Sequence, residues 1–516
     1  MKRRSFLRHV THSVAVPGVL GSMGFRMPGG NGSLSRLLNL AADSDRVLVM
    51  IFLEGGNDGL NTIIPLDQLS ALNQVRPHVI LPDSSLHQLS DADVGLHPAL
   101  GGLKSLYDED RFQIIQNVGY PNQNYSHFRS TDIWMSASDS NELVNSGWSG
   151  RYLSELYPDY PDAFPNEEVT DPLSIEIGYG SSLLFQGHQS SMSMVLNDPE
   201  FFYSLLSNEE EEAPDTLAGD KLKYIRLIAK QSQQYGKVVT DAAKKVQTQA
   251  AYPETFLAQQ LKIVSRLIAG GLKTPLYLVR LGGFDTHDAQ VEAADHTTGE
   301  HAELLKELND GIMAFMKDLE MQGTEDRVVG MTFSEFGRRI VSNASLGTDH
   351  GAAAPMFFFG NAVQGGVTGA NPNISPSASY DDNLEWQLDF RQLYGSILKQ
   401  WLGATDTHLD DSLLGTFEEV PIIGERNKAL NTTRKTAGLM VYPNPLNGQA
   451  TVRVAPTNES VTIDLLDLQG RKVVNIYRGR INQEMDIHWT TAHIPSGRYL
   501  VTVRGQYTKR VFSVVK

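Results

Sequence analysis

The sequence predicts an α/β protein: a doubly wound, mostly parallel sheet, followed by a small antiparallel β-sandwich. Three observations predict it. Continuous apolar runs stop abruptly at glycines and polar residues, as strands buried on both faces do. Long amphipathic segments lie between those runs, and strands alternating with helices imply helices on both faces of the sheet. The last stretch of chain changes to short segments of period two separated by turn residues, which marks an antiparallel sandwich.

The strand runs are "RVLVMIFLEGG" (46–56), "RFQIIQNVGY" (111–120), "PLYLVRLGG" (275–283), "RVVGMTFSEFG" (327–337) and "PMFFFGNAV" (355–363). The helical segments are 221–247, 254–271, 300–323 and 389–403. An acidic run, "NEEEEAPD" (208–215), interrupts the pattern and reads as a solvated loop.

The polar residues share an address. In open α/β sheets the ligand site lies beyond the carboxyl ends of the strands. The first strand is followed by Asn57 and Asp58, the second by Ser126 and His127, and the third by Asp285 and His287 in "GGFDTHD". The fourth is followed by Glu335, Arg338 and Arg339, and "GTDHGAAAP" carries Asp349 and His350 into the fifth. Any one cluster reads equally well as a polar turn, its glycines there for positive φ. Their joint placement points to a cation pocket. The chain has no cysteine, so a metal must be held by imidazole, carboxylate or hydroxyl groups. Zinc, manganese, magnesium and calcium all suit such a set.

A carboxylate and imidazole site of this kind suits ester hydrolysis, with metal ions clamping the attacking and leaving oxygens. Ser126 stands where a helix begins, and two readings fit it: a nucleophile activated by a metal and the helix dipole, or a plain N-cap hydroxyl. Arg129, three residues along, has the planar guanidinium that holds anionic ester oxygens. His97, before a proline, opens a helix, and His296 and His301 flank a helix start as surface residues.

Bulk properties narrow the function. The 516 residues carry a net charge of −16, which argues against a general nucleic-acid binder. The segments expected are an export signal over 1–42, the α/β domain over 43–423, a polar linker over 424–438 and the sandwich over 439–516. Residues 438–516 hold ten Lys/Arg and five Asp/Glu, reversing the charge of the chain.

The N-terminal "MKRRSFLRHV" resembles a twin-arginine export signal. The "YPNP" opening and "GRYLVTV…KRVFSVVK" ending resemble the sorting domain of the type nine secretion system. That resemblance implies secretion machinery as a partner and surface attachment or release. "FLEGGNDGLNTIIP", "NYSHFRSTDIW", "GWSGRYL", "LGGFDTHDAQ", "FSEFGRR" and "GTDHGAAAP" together resemble the exported family called domain of unknown function 1501. That family is grouped with the alkaline phosphatase and sulfatase superfamily. The resemblance implies metal ligands at Asp58, Asp285, His287, Glu335 and His350, with Asp349 a rival in "TDHG", and Ser126 as nucleophile. Phe336 stands where a further imidazole is expected, which implies one complete metal site and a second that is weak or absent. The implied function is a cell-surface, metal-dependent hydrolase of phosphate or sulfate esters. The alternative is a non-catalytic surface binding or structural protein on the same scaffold.

Overall fold

The computed structural model describes residues 45–162, 164–178, 180–197, 234–424 and, but for scattered positions, 439–516. The export-signal segment, the acidic run, the first part of the 221–247 segment and residues 425–438 lie outside the described residues.

The main sheet is built from β1 (Val47–Glu54), β2 (Phe112–Gly119), β3 (Ser174–Ile177), β4 (Met194–Leu196), β5 (Leu276–Gly282), β6 (Val328–Phe333), β7 (Ala354–Phe359), β8 (Gly366–Thr368) and β9 (Leu388–Asp389). Their order is β8-β2-β7-β6-β1-β5-β3-β4, with β9 paired to β2. β1 runs parallel to β5 and β6, and β3 runs parallel to β4 and β5. β7 is the exception, antiparallel to both β2 and β6.

β1 shows why the sheet is central. Val47, Val49, Ile51 and Leu53 enter one apolar core, whereas Leu48, Met50 and Phe52 enter another. A strand with both faces buried has no polar side to alternate, so its sequence reads as one apolar run. The first core is closed by α1 (Gly101–Asp108), the helix over 234–245, α2 (Phe256–Ala269) and α3 (Glu300–Gln322). The second is closed by α4 (His127–Ser136), α5 (Trp148–Leu156) and α6 (Phe390–Gln400). No helix among the described residues is long and apolar enough to cross a membrane.

Residues 439–516 form two antiparallel sheets. One has three strands (Leu439–Asn447, Gln449–Val454, Met485–Thr490). The other has four (Lys472–Arg480, Ser460–Leu466, Arg498–Arg504, Lys509–Val515). Val441, Val452 and Ile487 from the first share a core with Ile463, Leu465, Val501 and Val514 from the second. Inward-facing apolar residues thus alternate with outward-facing polar ones, as in a sandwich.

Candidate metal centre

The carboxyl ends of β1, β5 and β6 meet at one edge of the sheet. β7 delivers its residues to the same edge for the opposite reason: it runs antiparallel, so the chain entering it, Thr348 to Ala353, lies beside the exits of the others. A short pairing of Gly337–Arg338 with His350–Gly351 fixes His350 there. Gly55, at φ +120°, lets the 284–285 backbone cross the end of β1, where a Cβ would collide with the Asp285 amide. Phe284 N donates to Glu54 O at 3.0 Å, which locks that crossing.

Three imidazoles converge on Asp285. The ligand atoms of His127, Asp285 and His350 all lie within 4.8 Å of one another. His350 Nε2 is 3.0 Å and His287 Nε2 3.2 Å from Asp285 Oδ1. His127 Nε2 is 3.3 Å from Asp285 Oδ2. The two Nε2 atoms of His287 and His350 face each other at 2.9 Å.

Each ring has its other nitrogen committed. His127 Nδ1 lies 2.9 Å from Glu335 Oε1, His287 Nδ1 2.7 Å from Asp349 Oδ1, and His350 Nδ1 2.8 Å from the Tyr125 carbonyl. Ionised carboxylates and a carbonyl only accept, so the Nδ1 protons are donated to them. When the rings are neutral, each Nε2 is left without a proton and faces the one carboxylate. Orienting an imidazole through its far nitrogen is how proteins prepare histidine as a metal ligand.

The surroundings hold this geometry. Glu335 is buried and accepts the Gly55 amide at 2.9 Å. Asp349 accepts the Tyr380 hydroxyl on its second oxygen. Phe336 is the apolar floor, its ring centroid 4.4 Å from that of His350 and 4.9 Å from that of His127. Arg338 is buried and donates to the carbonyls of Gly55, Gly56, Phe284 and Thr348 and, at 2.8 Å, to Asp285 Oδ1. Partial burial pushes the Asp285 carboxyl up, but hydrogen bonds from Arg338 and His350 outweigh it and pull it down to about 2. The hydrogen bond to Glu335 raises the His127 pKa, whereas burial lowers that of His350.

The residues singled out from sequence divide into three groups. Asp285, His287 and His350 are in the cluster. Glu335 and Asp349 touch it through His127 and His287, each bracing a ring. Asp58 and Arg129 are occupied elsewhere. Asp58 is 1% exposed, ion-paired to Arg76 and bonded by Gln290 Nε2 at 2.6 Å. A buried carboxylate needs such a partner to stay ionised, and Arg76 supplies it from 18 residues away. The Arg129 guanidinium donates to the carbonyls of Asp139, Ser140 and Glu142, so it braces a loop instead of facing an ester.

Ser126 is the N-cap of α4, and its side chain makes no capping hydrogen bond. It is exposed, between Tyr125, which anchors His350, and His127. His127 had no role in the sequence reading beyond its place in the second polar cluster. Its position directly after Ser126, at the mouth of a helix, was the available signal. His301 corrects an expectation: it is 1% exposed, with Nε2 3.0 Å from Asn57 Oδ1. It lies on the inner face of α3, against the end of β1. His97 caps a short turn through Nδ1, which accepts from Ala99 N at 3.0 Å.

Residues 113–409 match the family model described as "Protein of unknown function (DUF1501)". The chain belongs to that family. Residues 440–516 of this DUF1501 protein match the "Secretion system C-terminal sorting domain". The protein is therefore exported, to the cell surface or the medium. No curated protein matches it. Solved structures similar to it include a sulfatase from Pseudoalteromonas sp., at 10% identity over 90% of this chain and 88% of that one, TM-score 0.32. Another is a protein in the alkaline phosphatase superfamily from Vibrio parahaemolyticus, at 10% identity over 83% and 85%, TM-score 0.32. A third is the lipoteichoic acid synthase from Listeria monocytogenes, at 9% identity over 84% and 88%, TM-score 0.29. Likeness at this level bears on no residue of the centre.

Proposed function

We propose that this exported protein is a metal-dependent hydrolase of phosphate or sulfate esters, with one divalent cation held by His127, His287, His350 and Asp285. One observation carries the reading: three imidazoles, each tied down through Nδ1, aim Nε2 at a carboxylate kept ionised by Arg338. The donor set fits a cation. Three nitrogens and a carboxylate suit zinc or manganese, whereas magnesium and calcium favour sites built from oxygen. When bound, the cation would polarise an ester oxygen and offset the charge that develops during displacement.

The chain supplies the rest. The uncapped Ser126 hydroxyl is the nucleophile, and the first amides of α4 favour the negative charge that gathers there. Asp349 and Glu335 keep two of the rings oriented through the reaction. Asp285 is exposed and the three rings are partly exposed, so an ester borne on a large molecule reaches them. The test is turnover of aryl phosphate and aryl sulfate by the purified protein. It should disappear on chelation and return with zinc or manganese; turnover that is absent with every metal sinks the reading.

The engagement of Arg129 with loop carbonyls favours a second reading, a surface metal-binding protein without turnover. In that case metal content is retained and no ester is cleaved.

A further inference from the structure

Two exposed aromatic residues touch the metal centre, and two more lie on the segments that carry them. Phe128, directly after His127, is 87% exposed; Tyr380, on Asp349, is 52% exposed. Tyr125, whose carbonyl anchors His350, is 39% exposed, and Trp386 is 40% exposed. Trp386 lies over Gly119 at the end of β2, where the loop carrying Tyr125 begins. Large apolar side chains left in water around a site mark what the site binds.

We propose that this rim is a docking surface for a polysaccharide of low charge density, whose attached ester is presented to the centre. The inference rests on the hydrolase reading for the ester and on the rim alone for the polysaccharide. Three observations select this occupant. The rim is made of rings, which offer flat apolar faces to the C–H faces of sugars, with polar tips on Tyr125 and Trp386 for hydroxyls, whereas Tyr380 has its hydroxyl on Asp349 and one face under Arg339. Asp285 is exposed and the three imidazoles beside it are partly exposed, an openness that suits a chain passing over them more than a small molecule that must be enclosed. Asp381, Asp382 and Glu385 are exposed on the segment carrying Tyr380 and Trp386. Together with the net charge of −16, they repel a densely anionic polymer or membrane.

Affinity electrophoresis of the full chain through gels containing hydroxyethyl cellulose, galactomannan or dextran tests this directly, with phosphatidylcholine vesicles as the contrasting probe. At least one gel should retard the protein. Phe128→Ala with Trp386→Ala should weaken that retention by roughly tenfold, the scale of two lost stacking contacts. Metal content and melting temperature should not change. Phe128→Ala alone, at the most exposed ring, should show part of the loss. Retardation by none of the gels, retention unchanged in both variants, or capture by vesicles in place of polysaccharide would each overturn the proposal. Turnover of small aryl esters on the same samples separates the two readings. Turnover without retention removes the polysaccharide and leaves the hydrolase, and retention without turnover does the reverse.

Discussion

The Nε2 atoms of His287 and His350 face each other at 2.9 Å, while the Nδ1 of each is already committed, to Asp349 and to the Tyr125 carbonyl. Two neutral rings in those tautomers have no proton to share across that gap. Beside Asp285, a cation would satisfy both lone pairs at once.

Ser126→Ala separates binding from chemistry. The hydroxyl makes no cap bond, so its loss should leave melting temperature and metal content unchanged. Aryl ester turnover should fall at least about a thousandfold if Ser126 is the nucleophile. A variant with most of its turnover intact removes the serine from the mechanism.

Asp349→Asn keeps the size of the side chain but removes the charge that braces His287. Such outer partners typically contribute about 10–100-fold in metal affinity, so competition with a chelator should show weakening of that order. Tyr380→Phe, which removes only the hydroxyl bonded to Asp349, should give a smaller change in the same direction. Equal affinity in all three proteins would show that Asp349 does not orient the ligand.

Gly55→Ala tests the crossing that positions Asp285. The residue sits at φ +120°, and its Cβ would meet the Asp285 backbone. Destabilisation of roughly 2 kcal/mol or more is expected from strain and collision together, read as a lower midpoint in urea. An unchanged midpoint would mean the loop can move aside at no cost.

Acid should weaken the fold through its buried histidines. Burial holds His301 down to about 4 and His97 down to about 3, against an ordinary value of 6.5. Both remain neutral in the folded chain, while the unfolded chain takes up their protons as pH falls through 6.5. The unfolded state thus binds more protons from 6.5 down to about 4 for His301 and about 3 for His97, and stability drops across that window before levelling off. His301→Gln should flatten the fall in melting temperature between pH 7 and 4.5. An unchanged slope would assign it to other groups.

Much of the fold was legible because burial on both faces leaves a simple trace, one apolar run per central strand, as β1 and β5 show. The direction of β7 was not: an apolar run reads the same either way, and only its pairing with β2 and β6 sets it antiparallel. The gathering of Asp285, His287 and His350 at one sheet edge could be read from their places at strand ends. Their neighbours' roles could not. Whether Asp349 meets a cation or braces His287 depends on which oxygen faces which nitrogen. The pairing of Asp58 with Arg76, and of Arg129 with the 139–142 carbonyls, depends on loop paths that no local pattern encodes. His301 was misjudged because the inner face of α3 at its first turn is set by packing against Asn57.

Elemental analysis of the purified protein beside Asp285→Ala tests the central claim most directly. The account predicts about one equivalent of zinc or manganese per chain in the native protein, and a loss of nearly all of it in the variant. Native protein without a divalent metal after incubation with either ion, or a variant that keeps its full equivalent, would contradict it.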